Sequence, residues 1–391
     1  MAHVAVPLVL LTIALVGCSL DDDEADPPRA GDVEQVPWER EQEIGFSVSA
    51  TRNTVRVGGA DAASDAAAVA AALFPATGER DRPTAVVLVD ADDWVTGIAA
   101  SVLAGSPIGA PLLVSNGDEL PPVTEEVLAR LDPKGSDLSR DAQVIRIGSG
   151  VARPEDFKTA VVKGADPFER AAAIDRFFSA ARGEPSENVV LYSAESPEWA
   201  MPVAAWGGRS GDAVLPVRAD AIPQPIREAL EDHERPRVFL LGPERVISGR
   251  VARTLERERL AVSVDRIAGP TPVENAIRFA RYRKGDFGWR AVVPGYNFSV
   301  ASTSRPLDAA AAAALATRGV FAPLLLTDDA AELPAPLEQY FLSVQPGYED
   351  DPGDAVYNRA WILGDEEAVS VRQQAQIDRI TELIPVQANV P

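Results

Sequence analysis

The stretch Ala110–Asn116, "APLLVSN", returns as Ala322–Asp328, "APLLLTD", and in a diverged form as Ala213–Ala219, "AVLPVRA". An acidic residue and prolines follow each copy, as "DELPP", "DAIPQP" and "ELPAP". A run of about five or six aliphatic residues between polar and proline signals is too short for a helix and reads as a strand buried in a parallel sheet. Three copies imply three repeats of one unit.

Working outward, each copy sits in the same context. Upstream lie a strand, a glycine turn and an Ala-rich helix: "VGGADAASDAAAVA" from Val57, "VKGADPFERAAAID" from Val162 and "IAGPTPVENAIRFA" from Ile267. The turn glycines Gly59, Gly164 and Gly269 are spaced by 105 residues both times, a period that marks a tandem array. A second strand is expected at "AVVLVD" from Ala85, "NVVLYS" from Asn188 and "AVVPGY" from Ala291. A loop closing on an aromatic residue comes next, with Trp94, Trp199 and Phe298 in that place. Downstream of the apolar run come a Pro-opened helix and a last strand ending at Gly148, Gly242 or Gly364. Strands apolar on both faces alternating with helices give an α/β fold: three tandem βαβαβαβα modules, each a mostly parallel sheet flanked by helices with the repeated apolar strands central. Residues 51–158, 159–262 and 263–391 are the expected modules, the third lengthened by the surface loop "QPGYEDDPGDAVYN".

The N-terminus reads differently. "AVPLVLLTIALVGCS" carries an apolar run too short to span a bilayer, so residues 1–17 read as a signal peptide. "LVGC" resembles a bacterial lipobox, which makes Cys18, the only cysteine, the expected lipid attachment point; plain secretion with an irrelevant cysteine is the alternative. Residues 18–50, opening "DDDEADPPRAGDVEQ", form an acidic tether. The net charge of −22 argues against general binding to nucleic acid or an anionic membrane surface, so a polyanionic partner needs a local basic patch.

The repeat pattern resembles the cell wall-binding repeat 2 family over roughly Thr51 to Pro385, nearly all of the chain beyond the tether. The points of resemblance are Gly59, Trp94, "AASVLAG" at Ala99–Gly105, "PLLV" at Pro111–Val114 and "IRIG" at Ile145–Gly148. That resemblance implies Rossmann-like modules in a pseudo-threefold body that attaches non-covalently to an anionic wall polymer. The chain departs from the family at polar positions. Ala62, Ala63 and Asp65 stand where the family has Arg, Tyr and Thr, and Thr96, Met201 and Val300 stand where it has a helix Asp.

Catalytic signatures are sparse. Beyond the signal peptide the one histidine is His233, in the charged stretch "EDHERPR", where a Ser-His-Asp set has no nucleophile elbow to join. "RIGSGVAR" at Arg146–Arg153 lacks the third glycine of a dinucleotide fingerprint. The acidic groups Asp90, Asp92 and Asp93, and Glu349 to Asp354, do not follow calcium-loop spacing. No catalytic residue, metal or cofactor is therefore assigned. Trp94, Trp199 and Phe298 lie in loops at strand ends, where they either cap the module core or stack on a sugar, and Arg209, Arg218, Arg305 and Arg318 are the nearby cations for a polymer. The expected protein is a lipid-anchored, extracytoplasmic envelope protein that is non-catalytic and binds an anionic or sugar polymer of the wall. An α/β enzyme or small-ligand receptor of the cell surface is the alternative.

Overall fold

The computed structural model describes residues 47–317 and 323–386. The expected signal peptide, Cys18, almost all of the tether and Arg318 lie outside the described residues.

The first repeat begins with Ser47–Ala50 (β1) and Thr54–Gly58 (β2), followed by helix Ala62–Leu73 (α1). Val86–Asp90 (β3), Trp94–Ala100 (α2), Leu112–Ser115 (β4), Pro122–Leu131 (α3) and Val144–Ile147 (β5) complete it. The second runs Thr159–Val162 (β6), Pro167–Arg182 (α4), Asn188–Ser193 (β7), Pro197–Ala200 (α5), Pro202–Ser210 (α6), Ala213–Val217 (β8), Gln224–Asp232 (α7) and Arg237–Leu241 (β9). Helix Gly249–Arg257 (α8) leads to the third: Ser263–Ile267 (β10), Pro272–Arg281 (α9), Asn297–Ser302 (β11), Pro306–Thr317 (α10), Leu324–Thr327 (β12) and Ala335–Ser343 (α11). Gly347–Tyr348 (β13), Arg359–Leu363 (β14), Val371–Ile380 (α12) and Ile384–Pro385 (β15) end it.

Sheet membership runs one strand out of step with these repeats. The first sheet has the order β4-β3-β5-β6, so the strand that opens the second repeat is the outer strand of the first sheet. The second sheet is β8-β7-β9-β10, closed in the same way by the opening strand of the third repeat. In the third sheet, β12-β11-β14-β2-β1, the missing strand comes from the N-terminus: β2 pairs parallel to β14, with Val57 opposite Leu363. The chain thus closes on itself. All pairings within the three sheets are parallel except β1 on β2, which is antiparallel and covers the outer edge of β2.

The repeated "PLLV" and "PLLL" runs form β4 and β12, with β8 as the diverged copy, and all are fully buried. They are edge strands rather than central ones. Their burial comes from the helix after each glycine turn, since α1, α4 and α9 pack over β4, β8 and β12. A covered edge has no free row of peptide groups to attract another strand.

These three helices start alike because their caps repeat at the 105-residue period. The side chains of Asp61, Asp166 and Thr271 accept the backbone N–H of Ser64, Glu169 and Glu274, which satisfies a donor that the first turn leaves unpaired. Between the sheets, α2, α6 and α10 meet one another through small side chains. A Cβ on Gly208 would lie 2.9 Å from the Ala313 carbonyl oxygen, and one on Gly105 would lie 2.5 Å from that of Gly208. The Ala-rich composition of these helices follows from this close approach: larger side chains would separate the backbones.

One expected element falls elsewhere. Residues 291–296, "AVVPGY", form no strand; Pro294 lacks a donor for a ladder and Gly295 takes a φ of +105°. The third repeat's second strand is β11, so Phe298 is a strand residue and not part of the loop. The place that Trp94 holds at the start of α2 is taken by Pro306 at the start of α10. Two residues into that helix stands Asp308, and not Val300, beside Thr96 of the first repeat.

Candidate functional site

The residues expected to bind a polymer do not gather at one place. Phe298 is 0% exposed and packs edge-on against Tyr340 and Phe341, with centroids 5.9 and 5.4 Å away. Its ring belongs to the core. Trp199 is 6% exposed, with the Arg245 guanidinium 4.8 Å over its ring, so it too fills space. Trp94 is half-buried at the first turn of α2. Arg305 points inward and pairs with Asp65 at 3.2 Å and Asp365 at 3.6 Å. Arg209 and Arg218 are exposed in the second repeat, Arg218 over the Phe168 ring at 5.0 Å.

A different cationic feature emerges in the third repeat. The run Arg278–Arg290, "RFARYRKGDFGWR", holds four arginines, one lysine and a single aspartate in a chain of net charge −22. Its apolar residues fix its course. In α9, Val273, Ala276, Ile277, Phe279 and Ala280 are buried, which turns Arg278 and Arg281, three residues apart, to the outer face. Beyond the helix, Phe287 stacks on Phe239 of β9 with centroids 3.6 Å apart, and Trp289 meets Trp206 edge-on at 5.3 Å. The segment is therefore pinned to the second sheet, and its arginines project from a fixed base.

Between α9 and α11 lies a groove of about 550 Å³ lined by Arg278, Arg281, Tyr282, Arg283, Gln339 and Tyr340, with the Gly269–Pro270 turn at one end. Arg281 lies 5.0 Å over the Tyr340 ring and donates to Ser343 Oγ at 2.7 Å. Tyr340 donates its hydroxyl to the Ala291 carbonyl at 2.9 Å, which fixes the ring beneath the guanidinium. Burial pushes the Tyr340 hydroxyl above its usual pKa, with Arg281 opposing, so it stays a neutral donor.

Charge pairing separates the groove cations from their neighbours. Lys284 is held by Asp265 at 2.6 Å, and Asp286 is held by Arg237 at 2.9 Å. Among the described residues, Arg278, Arg281 and Arg283 make no ion pair. Glu274 is the one carboxylate lining the groove, and it accepts from Thr271 Oγ1 at 3.0 Å.

The equivalent groove of the second repeat, between α4 and α7, has about 430 Å³ and sets Lys163 and Arg176 against Glu169 and Glu228. Arg176 is one period before Arg281, and one period earlier again stands Ala71. At this position the three repeats therefore carry Ala71, Arg176 and Arg281, and of the two grooves the second is balanced in charge and the third cationic. Repeat-motif reasoning missed the third groove because its arginines lie outside the repeated strands and glycine turns. The signal available was charge density along the 278–290 run.

His233 is held by the core. His233 is 6% exposed, with Nε2 2.9 Å from Asp175 and Nδ1 2.8 Å from the Ser186 carbonyl. Burial lowers its pKa, but the Asp175 hydrogen bond and charge outweigh it and the net shift is upward. Among the described residues no three His, Cys, Asp or Glu side chains converge in a group that could hold a metal ion, and no helix is long and apolar enough to cross a membrane.

Comparison with known proteins agrees with the repeat reading. Two solved structures share the fold: Cwp8 from Clostridium difficile, with a TM-score of 0.63 and 20% identity, and Cwp6 from Clostridium difficile, with 0.65 and 17%. The alignments cover 85% and 86% of this chain but only 52% and 50% of those proteins, so the chain spans about half their length. No curated protein matches. Residues 266–373, which include every residue named as lining the cationic groove, match the family described as Cell wall binding domain 2. Within the third repeat, residues 266–373 are thus similar to the cell wall binding domain 2 family, in a chain whose α/β fold resembles that of the two clostridial proteins.

Proposed function

We propose that the protein is a non-catalytic component of the cell envelope that attaches to an anionic wall polymer through the α9/α11 groove. The observation that carries this reading is the set of three unpaired arginines, Arg278, Arg281 and Arg283, inside the segment that matches the wall-binding family, on a chain otherwise strongly acidic. Guanidinium groups on a rigid base suit repeated anionic groups, since each presents a planar fork of donors and costs little to preorganise. Tyr282, partly buried in the groove wall, adds a flat surface against which a sugar ring stacks. Anchoring through a lipid on Cys18, with residues 18–50 as the tether, would hold this groove close to the membrane face of the wall.

Binding of the purified protein to wall fractions, followed against NaCl, tests the proposal. Exposed charges are screened over about 10 Å at 0.1 M salt, so binding should weaken steadily as salt rises. Arg278→Glu/Arg281→Glu should lower affinity by at least about tenfold, as reversing two charges costs more than about 1.4 kcal/mol. Arg218→Glu, on an exposed side chain of the second repeat, should leave binding unchanged. Binding that ignores both salt and the double substitution would refute the groove as the polymer site.

A further inference from the structure

The residue six positions after each turn glycine is Asp65, Arg170 or Asn275, and the first two reach across to a neighbouring repeat. Each ties back to its own turn. Asp65 Oδ1 accepts from Gly59 N at 2.5 Å, Arg170 Nη1 donates to the Gly164 carbonyl at 3.1 Å, and Asn275 Oδ1 accepts from Gly269 N at 2.9 Å. Beyond the turn their chemistry diverges. Arg170 reaches Asp93 of the first repeat at 2.8 Å, an ordinary ion pair, while Asn275 carries no charge.

Asp65 faces the third repeat, at the joint where β2 completes the sheet. It meets Asp308 of α10 side chain to side chain, and Asp308 is 0% exposed. Neither Asp308 oxygen accepts a hydrogen bond from any donor among the described residues, and a proton between it and Asp65 would satisfy both carboxylates. Arg305, from the loop before α10, bonds Asp65 at 3.2 Å and the Gly59 carbonyl at 3.0 Å. Asp365, in the turn after β14, lies 3.6 Å from Arg305. From β2, Arg56 adds a more distant positive charge, itself balanced by Asp365 and Glu366. Asp65 and Asp365 thus share one guanidinium, while Asp308 has no cation of its own. The packing leaves no slack for separating them, since a Cβ on Gly58 would collide with the backbone nitrogen of Gly364 and with Asp65.

We propose that the joint between the N-terminal and C-terminal repeats is locked by one proton shared between Asp65 and Asp308, and that loss of this proton opens the closure of β2 on β14. Two carboxylates in contact cannot both ionise at low cost, least of all when buried. Burial, ahead of the opposing bonds to Asp308, Gly59 and Arg305, raises Asp65 to about 6, and burial followed by the charge of Asp65 raises Asp308 well above the usual range. The sign follows from proton counting. Once the joint opens, both carboxylates ionise near 4, whereas the closed joint keeps its proton to about 6 or beyond. Between those values the closed state binds more protons, so closure weakens as pH rises, about tenfold per pH unit for one proton. The corresponding positions of the other two repeats, Arg170 in an ion pair and the neutral Asn275, hold no such carboxylate pair.

Hydrogen exchange of the full chain between pH 5 and 8, corrected for intrinsic exchange rates, reads the proposal directly. Protection of β2 and β14 amides relative to those of β7 and β9 should fall as pH rises in the wild type, by up to roughly tenfold per pH unit below about pH 6. Asp308→Asn supplies a permanent amide donor to Asp65 and removes the shared proton, so the ratio should depend less steeply on pH than in the wild type. A wild-type ratio independent of pH, or an Asp308→Asn slope equal to the wild type, would overturn the proposal. Should that variant fail to fold, infrared spectra of the wild type decide: a protonated-carboxyl band at pH 5 that fades towards pH 8 supports the shared proton, and its absence at pH 5 overturns it.

Discussion

Arg56 offers the sharpest test of how the chain closes. It lies in β2 at 2% exposure and reaches across the closure to four acceptors: Gln374 Oε1 at 2.9 Å and the carbonyls of Gly364, Asp365 and Val369 at 2.8, 2.7 and 2.6 Å. Arg56→Ala removes every donor at once and leaves these acceptors in a cavity with too little water. Breaking a buried charged network of this kind costs about 3–5 kcal/mol. Unfolding entropy near 2.1 cal/mol/K per residue gives about 0.7 kcal/mol/K over the roughly 350 residues of Glu41–Pro391, so Tm should drop by about 4–7 °C. Thermal denaturation followed by circular dichroism measures the drop, and hydrogen exchange should place the loosening in β14 and α12 rather than in β7. A Tm within about 1 °C of wild type would refute the reasoning, because it would mean that the N-terminal strand contributes little to the third sheet.

Two further predictions concern single positions. Leu113, in β4, is 0% exposed, and Leu113→Asp would have to hold its carboxyl protonated near neutrality at a cost of about 4 kcal/mol besides the lost packing, so the variant should melt well below wild type or fail to fold. Cys18→Ala should move the protein from the membrane fraction to the soluble fraction, as the lipid would supply roughly 0.8 kcal/mol per buried CH₂; unchanged partitioning would count against lipid anchoring.

The repeated apolar runs and the 105-residue glycine spacing made the α/β repeats readable, because buried strands and helix starts demand particular residue types at fixed positions. Pairing partners were less readable. Nothing in the sequence of β6 or β10 says whether it joins the sheet before or after it, since a parallel strand is apolar in either place. The third repeat's second strand was misplaced for a related reason: "AVVPGY" has strand composition, and only its Pro294 and Gly295 betray it. Phe298 moved from loop to core as a consequence. The groove escaped because motif matching weighs what repeats, while Arg278, Arg281 and Arg283 are what the third repeat does not share with the first.

The pairing of β2 with β14 also orders events during synthesis. Val57 emerges about 300 residues before Leu363, its partner in the register, which at usual elongation rates of about 5–20 residues per second means roughly 15–60 s of waiting. Through that interval the first two sheets can each complete themselves from contiguous chain, whereas β2 has no sheet to join. The third sheet is consequently the one assembled from both extremities, and shortening the polypeptide at either extremity removes strands from the same sheet.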